Sequence, residues 1–292
     1  MIIQTPAGPA RVMHRLALAV EVRDAVTGRL ADMPVRVGRE ITAPPGAAPA
    51  PDPAWPCRAL ERSGLARFKL RRGPQLPAAI TLRMDDRYRR YVPRRASITL
   101  WPEADIEAID NDPPTGPYIP VNSRLLRIWL SPGSAYPLPG GTTAIRGRVL
   151  RSVAGAALSP DHPARWPRVT AIGPGNVPVG WAHGDERGEF LLPIVSSGTL
   201  TPVDAQFPVD LDVYGLPAVQ APQPDPADRC ADLVIETVPR SSAPPAPGDL
   251  DNDLLRGKSV PPGYVAGSAP RPHLTVKVGS VLTTGTDFPF PD

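Results

Sequence analysis

The sequence predicts an all-β protein, arranged as two tandem antiparallel β-sandwich modules with an extended N-terminal arm and a C-terminal tail. Three observations carry that expectation. Apolar residues recur in short alternating runs, the pattern of half-buried strands. Proline accounts for 42 of 292 residues, nearly three times its usual ~5% share. It lacks a backbone donor and fixes φ, which excludes helix interiors and central strands alike. Finally, one strand pattern occurs twice: 16–28, 33–38, 63–70 and 79–84, then 143–150, 166–172, 184–192 and 208–214. Hydrophobic residues still make up 41% of the chain, too many for wholesale disorder.

Taken in order, residues 1–14 form an arm with Pro6 and Pro9 and no periodicity. Such an arm frays or packs on a neighbour. The first module, 15–102, opens with Leu16, Leu18, Val20 and Val22 alternating on one face, and Val35 and Val37 continue it. Residues 43–57 are an Ala/Pro loop, long enough to be functional or mobile. Trp55 is its expected anchor, onto its own module or onto a partner. Strands at 65–70, 79–84 and 96–101 complete the module, and 103–123 reads as a linker. The second module, 124–216, has a strand at 124–130 and an expected core of Ile145, Val149, Val169, Ala171, Phe190, Leu192, Leu211 and Val213. Residues 217–292 read as an extended Pro-rich tail with two strands, 232–238 and 273–278, laid on the second module or on another subunit.

The net charge of +3 hides a strong polarity. Residues 58–95 hold twelve Lys/Arg against three Asp/Glu, a net of +9, while 185–253 hold thirteen acids against three Arg, a net of −10. Two readings stand: solvated faces, or complementarity between one copy's basic region and another copy's acidic region or an acidic partner. Arg87, Tyr88, Arg89, Arg90, Tyr91, Arg94 and Arg95 form the candidate contact surface, because Arg and Tyr are enriched at interface hot spots. Nucleic acid ranks below protein, since the basic stretch lacks a reading helix or an aromatic ladder.

Catalytic and metal patterns are missing from the sequence. His14, His162, His183 and His273 have no metal-ligand spacing. Residues 249–253 begin like a calcium loop, but Leu254 replaces the turn glycine and Val260 the bidentate glutamate. Phosphate cradles and nucleophile elbows do not occur. Asp210 and Asp212 share a wet strand face instead of an enclosed site. Cys57 and Cys230 make no disulfide framework and read as two unpaired thiols. The expectation is therefore no enzyme, no cofactor and no metal. Trp166 and Trp181 are the candidates for a sugar-stacking face. No signal core or membrane span is evident, so the expected site of synthesis is the cytoplasm, with release in a particle left open.

The second module resembles the carboxypeptidase-regulatory-like, or transthyretin-like, β-sandwich family within the wider Ig-like group. The matching residues are Ile145-Arg-Gly-Arg-Val149, the Pro-led run 167–171, and Gly184-Asp-Glu-Arg-Gly-Glu-Phe190. In the last, Asp185 caps a turn, Gly188 takes positive φ and Phe190 points inward. The first module matches less well, lacking the Asp-x-x-Gly spacing. The resemblance implies a non-catalytic module acting as spacer, carbohydrate contact or appendage. The layout of arm, tandem sandwiches and tail is similar to components of phage-tail-like contractile injection particles. The function expected is thus a structural or adaptor protein, forming a homo-oligomer or joining a larger particle. The alternative is a carbohydrate-binding appendage.

Overall fold

The computed structural model of the chain describes residues 16–32, 34–41, 52–73, 76–110, 115, 116, 119, 124–152, 158–195, 205–239, 252–267 and 270–291. The expected arm (1–14), most of the Ala/Pro loop and the acidic run 249–251 lie outside them. The described chain is mainly β-strand, as its alternating apolar runs predict.

Two sheets form from the N-terminal half. One has the order β4 (Glu61–Gly64), β5 (Arg67–Arg71), β1 (Leu16–Asp24), β8 (Leu125–Leu130). The other has the order β14 (Ile235–Val238), β7 (Arg94–Thr99), β6 (Ala79–Asp85), β2 (Arg36–Glu40), β3 (Cys57–Ala59). Their facing side chains, among them Val20, Val22, Phe68, Leu82, Met84, Ile98, Ile128 and Leu130, bury in one cluster. Two members of these sheets come from far along the chain. β8, which the sequence places at the start of the second module, runs parallel to β1. β14, from the tail, runs parallel to β7.

The second half also gives two sheets. β10 (Arg168–Gly173) lies between β11 (Val177–His183) and β13 (Gln206–Gly215), and β13 carries β15 (Val265–Ala266) and β16 (His273–Lys277) on its far side. β9 (Ala144–Ser152) lies between β12 (Glu189–Pro193) and the tail strands β17 (Val281–Leu282) and β18 (Asp287–Pro291). All eight residues named as the second module's core lie in the cluster between these sheets, joined by Val276, Phe288 and Phe290 from the tail.

The tail is therefore not an appendage to one module. It supplies β14 to the first sheet pair and β15 to β18 to the second. β18 reads Asp287-Phe-Pro-Phe-Pro291, and its prolines lose nothing because β9 flanks it on one side only and the outer edge needs no donor. Its two phenylalanines turn inward. Gly147 on β9 makes room for this, since a Cβ there would lie 2.8 Å from the Phe190 ring and 2.9 Å from the Phe288 ring. The expected linker holds a helix, α1 (Glu103–Asp110), whose Glu103 and Asp105 favour the first turn. A second helix, α2 (Asp253–Arg256), is capped by Asn252, whose side chain accepts from Leu255 N at 2.9 Å, and ends in a left-handed Gly257.

The two halves share packing as well as chain. Ala144 of β9 and Leu191 of β12 are fully buried and belong to the N-terminal cluster, as does Leu255 of α2. A smaller cluster of Val92, Trp166, Cys230 and Leu233 lies between them.

Candidate functional site

The most heavily built feature outside the cores is a seam of arginines and carboxylates joining the two halves. It grows from the strand pattern. On β6 and β7, alternation that sends Leu82, Met84, Ala96 and Ile98 into the core sends Arg83 and Arg95 to the other face, while Arg94 shares the Ala96 face at the start of β7. On that other face Arg83 meets Asp228 and Arg95 meets the carbonyls of Ala231 and Leu233, while Glu236 of the adjacent strand β14 lies level with Ala96 and meets Arg94.

Arg94 is 1% exposed and all five of its N–H groups find acceptors. Nη1 donates to the carbonyls of Trp129 (3.0 Å) and Leu255 (2.7 Å), Nη2 to that of Leu254 (2.8 Å), and Nε to Glu236 Oε1 (3.3 Å). The second Nη2 hydrogen goes to Glu236 Oε2. Glu236 in turn accepts from Arg168 of β10 at 2.9 Å. Burial alone pushes the Glu236 carboxyl up, but the two guanidiniums hold it below the ordinary range. One carboxylate from the tail thus ties a strand of the first sheet pair to a strand of the second.

Two more tail carboxylates extend the seam, one onto each half. Arg83 donates from Nη1 to both oxygens of Asp228 (2.7 and 2.8 Å) and from Nε to Glu40 (2.9 Å). Glu40 is also gripped by Arg95 through Nε and Nη2, both at 2.7 Å. Asp232 accepts from Trp166 Nε1 at 2.9 Å and from Arg165. At the rim, Arg89 reaches Asp185 and Glu186, and Arg229 reaches Asp85. The bidentate forms suit guanidinium geometry. The basic and acidic stretches that could have joined separate copies thus meet within one chain.

His183 lies beneath this seam, fully buried. Its Nε2 donates to Gly257 O at 2.7 Å, which fixes the tautomer and leaves Nδ1 as an unpartnered acceptor. Burial, then the charges of Arg168 and Arg94, hold its pKa well below the ordinary value. It does not approach Asp185 as a catalytic pair would. The Asp185 carboxylate instead caps its own turn, accepting from Arg187 N (2.9 Å) and Glu189 N (3.0 Å). Gly188 sits at φ +72° where a Cβ would strike the Val149 carbonyl, and Phe190 is fully buried.

The seven candidate contact residues divide. Arg94, Arg95, Arg89 and Arg90 spend their charge internally, Arg90 on Asp86 at 2.9 Å. Tyr91 is buried and donates to Asp24 (3.0 Å), which Tyr136 also reaches (2.7 Å). Arg87 and Tyr88 remain outside, Tyr88 being 53% exposed. Trp55 packs on its own half, with the Arg36 guanidinium 4.1 Å from its ring centroid. The seam's acids, Asp228, Asp232 and Glu236, carry no motif. Only the excess of opposite charge in two distant stretches could have pointed to them.

Of the two sugar candidates, Trp166 is 2% exposed. Trp181 lies beside Trp129 in a half-open cleft of about 190 Å³, with Lys258 Nζ 3.9 Å from its ring centroid. Cys57 and Cys230 are free thiols, and burial pushes both up to about 12. Asp210 pairs with His273 at 2.7 Å and Asp212 with Arg271 at 2.6 Å. Among the described residues no group of three or more His, Cys, Asp or Glu is placed to hold a metal, and no helix is long and apolar enough to cross a membrane. Neither protein-family models nor curated proteins match the chain.

Proposed function

We propose that the chain is a non-enzymatic structural or adaptor protein. Its two sheet pairs act as β-sandwich modules of the carboxypeptidase-regulatory-like type, fastened at a fixed angle by the seam. Its role is then geometric, as a rigid spacer within a homo-oligomer or a larger particle. A phage-tail-like contractile injection particle is the setting its layout fits.

The observation that carries the reading is Glu236. A tail carboxylate buried between Arg94 and Arg168 joins two modules whose sheets the same tail completes. Buried ion pairs contribute little net stability, and their best-attested use is to fix one geometry among several. A chain that needs a fixed angle between two modules has a use for such a device. The groups that chemistry would recruit are committed elsewhere: the thiols are held protonated, His183 is held neutral, and Asp185 caps a turn.

Size-exclusion chromatography with light scattering, at low and high salt and with affinity capture from a native lysate, tests the proposal. A defined oligomer, or stoichiometric capture of a particle component, is expected. A monomer at every salt concentration that captures nothing contradicts it.

The carbohydrate reading keeps one favourable observation, the cleft between Trp129 and Trp181. A neutral sugar would have to displace Lys258 from the Trp181 face, and Arg256 stands 5.3 Å from the Trp129 ring centroid. A glycan array separates the readings, since the spacer should bind nothing on it.

A further inference from the structure

Most of the arginines in the seam are matched to carboxylates, which makes one region of the surface stand apart. Where β3 passes into β4, a groove of about 460 Å³ opens at the edge of the N-terminal sheet pair, away from the seam. Arg39 of β2, Arg58 of β3, and Lys69, Arg71 and Arg72 of β5 and its end line it. Among the described residues Glu61 is the one acid in the lining, and its carboxylate is taken by Lys69 and Arg71, both at 2.9 Å. Arg72 donates to the Trp101 carbonyl.

Arg39 and Arg58 have no carboxylate among the described residues, yet the register of β2 and β3 sets them directly opposite one another. Like charges at opposed positions of an antiparallel pair are destabilising. A charged edge can serve simply to block unwanted strand pairing. That purpose needs scattered charge, not cations from three strands converging on a hollow, with Arg39 and Arg58 left unmatched among the described residues. The hollow also has an apolar floor, Leu60 buried and Leu70 and Leu76 partly so. Beside it β4 is exposed along its whole length.

We propose that this groove is a docking site for an extended acidic segment of a partner protein. A carboxylate would bridge Arg39 and Arg58, and an adjacent aliphatic side chain would rest on Leu60, Leu70 and Leu76. The proposal rests on the scaffold reading and names the chemistry of its partner. Charge complementarity selects an anion. The apolar floor selects a protein chain over other polyanions, because the described residues of the lining offer no aromatic face on which a base or sugar could stack.

The test uses the full chain and a fluorescently labelled peptide alternating Asp or Glu with Leu, titrated by anisotropy. Saturable one-to-one binding is expected. R58E/R71E should weaken it about tenfold or more, while R29E, an exposed cation elsewhere, leaves it unchanged. The same peptide with glycine for leucine should bind much more weakly. Equal binding by R58E/R71E overturns the site. Heparin fragments or single-stranded DNA binding as tightly as the peptide, with the same response to R58E/R71E, overturns the peptide assignment. Both altered residues are exposed, and thermal melting checks that the fold is kept. A monomer that binds the peptide but joins no assembly leaves the site standing and removes the scaffold reading. An assembling chain that ignores the peptide does the reverse.

Discussion

At Glu236 and His183 burial and charge conflict, and each yields a measurable consequence. Glu236→Gln removes the negative charge between Arg94 and Arg168 and leaves both guanidiniums buried without it. Breaking a buried pair from one side typically costs about 3–5 kcal/mol, so urea unfolding of E236Q should show a loss of that size. A loss below about 1 kcal/mol would mean that the seam is solvated and weak.

His183 is neutral in the fold because burial and two guanidiniums disfavour its proton. The unfolded chain takes that proton at the ordinary value of about 6.5. Below it, the unfolded state binds a proton that the folded state refuses. The contribution is therefore complete above pH ~6.5 and is lost as pH falls, by up to about 1.4 kcal/mol per pH unit. Stability measured between about pH 6.5 and 5, above the usual carboxylate range, should fall in the native chain and flatten in H183Q. The same slope in both proteins would assign the acid sensitivity elsewhere.

At the scale of elements, the strands with alternating apolar residues were legible from sequence, and the irregular ones were not. β1, β6, β8 and β13 announce themselves by period two. β18 does not, because two of its five residues are proline and its signal is a pair of phenylalanines. β3 and β4 are short and largely exposed, which leaves no apolar pattern to read. Partnership was harder still. Nothing in 124–130 says that it runs parallel to β1 and not into the module that follows it, since an alternating strand fits either sheet. The turn at Asp185, Gly188 and Phe190 was readable because its chemistry is local.

Two predictions belong to the elements. Phe290→Ala removes a fully buried ring from the second cluster and should cost about 3–5 kcal/mol. A tail merely laid on the surface would lose far less. Gly147→Ala places a methyl group between the Phe190 and Phe288 rings and should cost about 1–3 kcal/mol by overpacking. Thermal melting of each variant supplies the check.

Over the whole molecule, the charge polarity of the sequence was visible and its destination was not. Net charge by segment cannot distinguish acids that meet a second copy from acids that return to their own chain. The return depends on 225–238 leaving the second sheet pair to lie against β7, a path set by tertiary packing of Cys230, Leu233 and Trp166. With the seam internal, the surfaces that the proposed assembly could use among the described residues include the basic groove at β3 and β4, the Arg87 and Tyr88 corner, and the cleft beside Trp181. Tail and seam should make one cooperative body of the two halves. Differential scanning calorimetry of the full chain measures that cooperativity. A single transition whose calorimetric and van't Hoff enthalpies agree is expected. Two separable transitions, each matching one sheet pair, would contradict it.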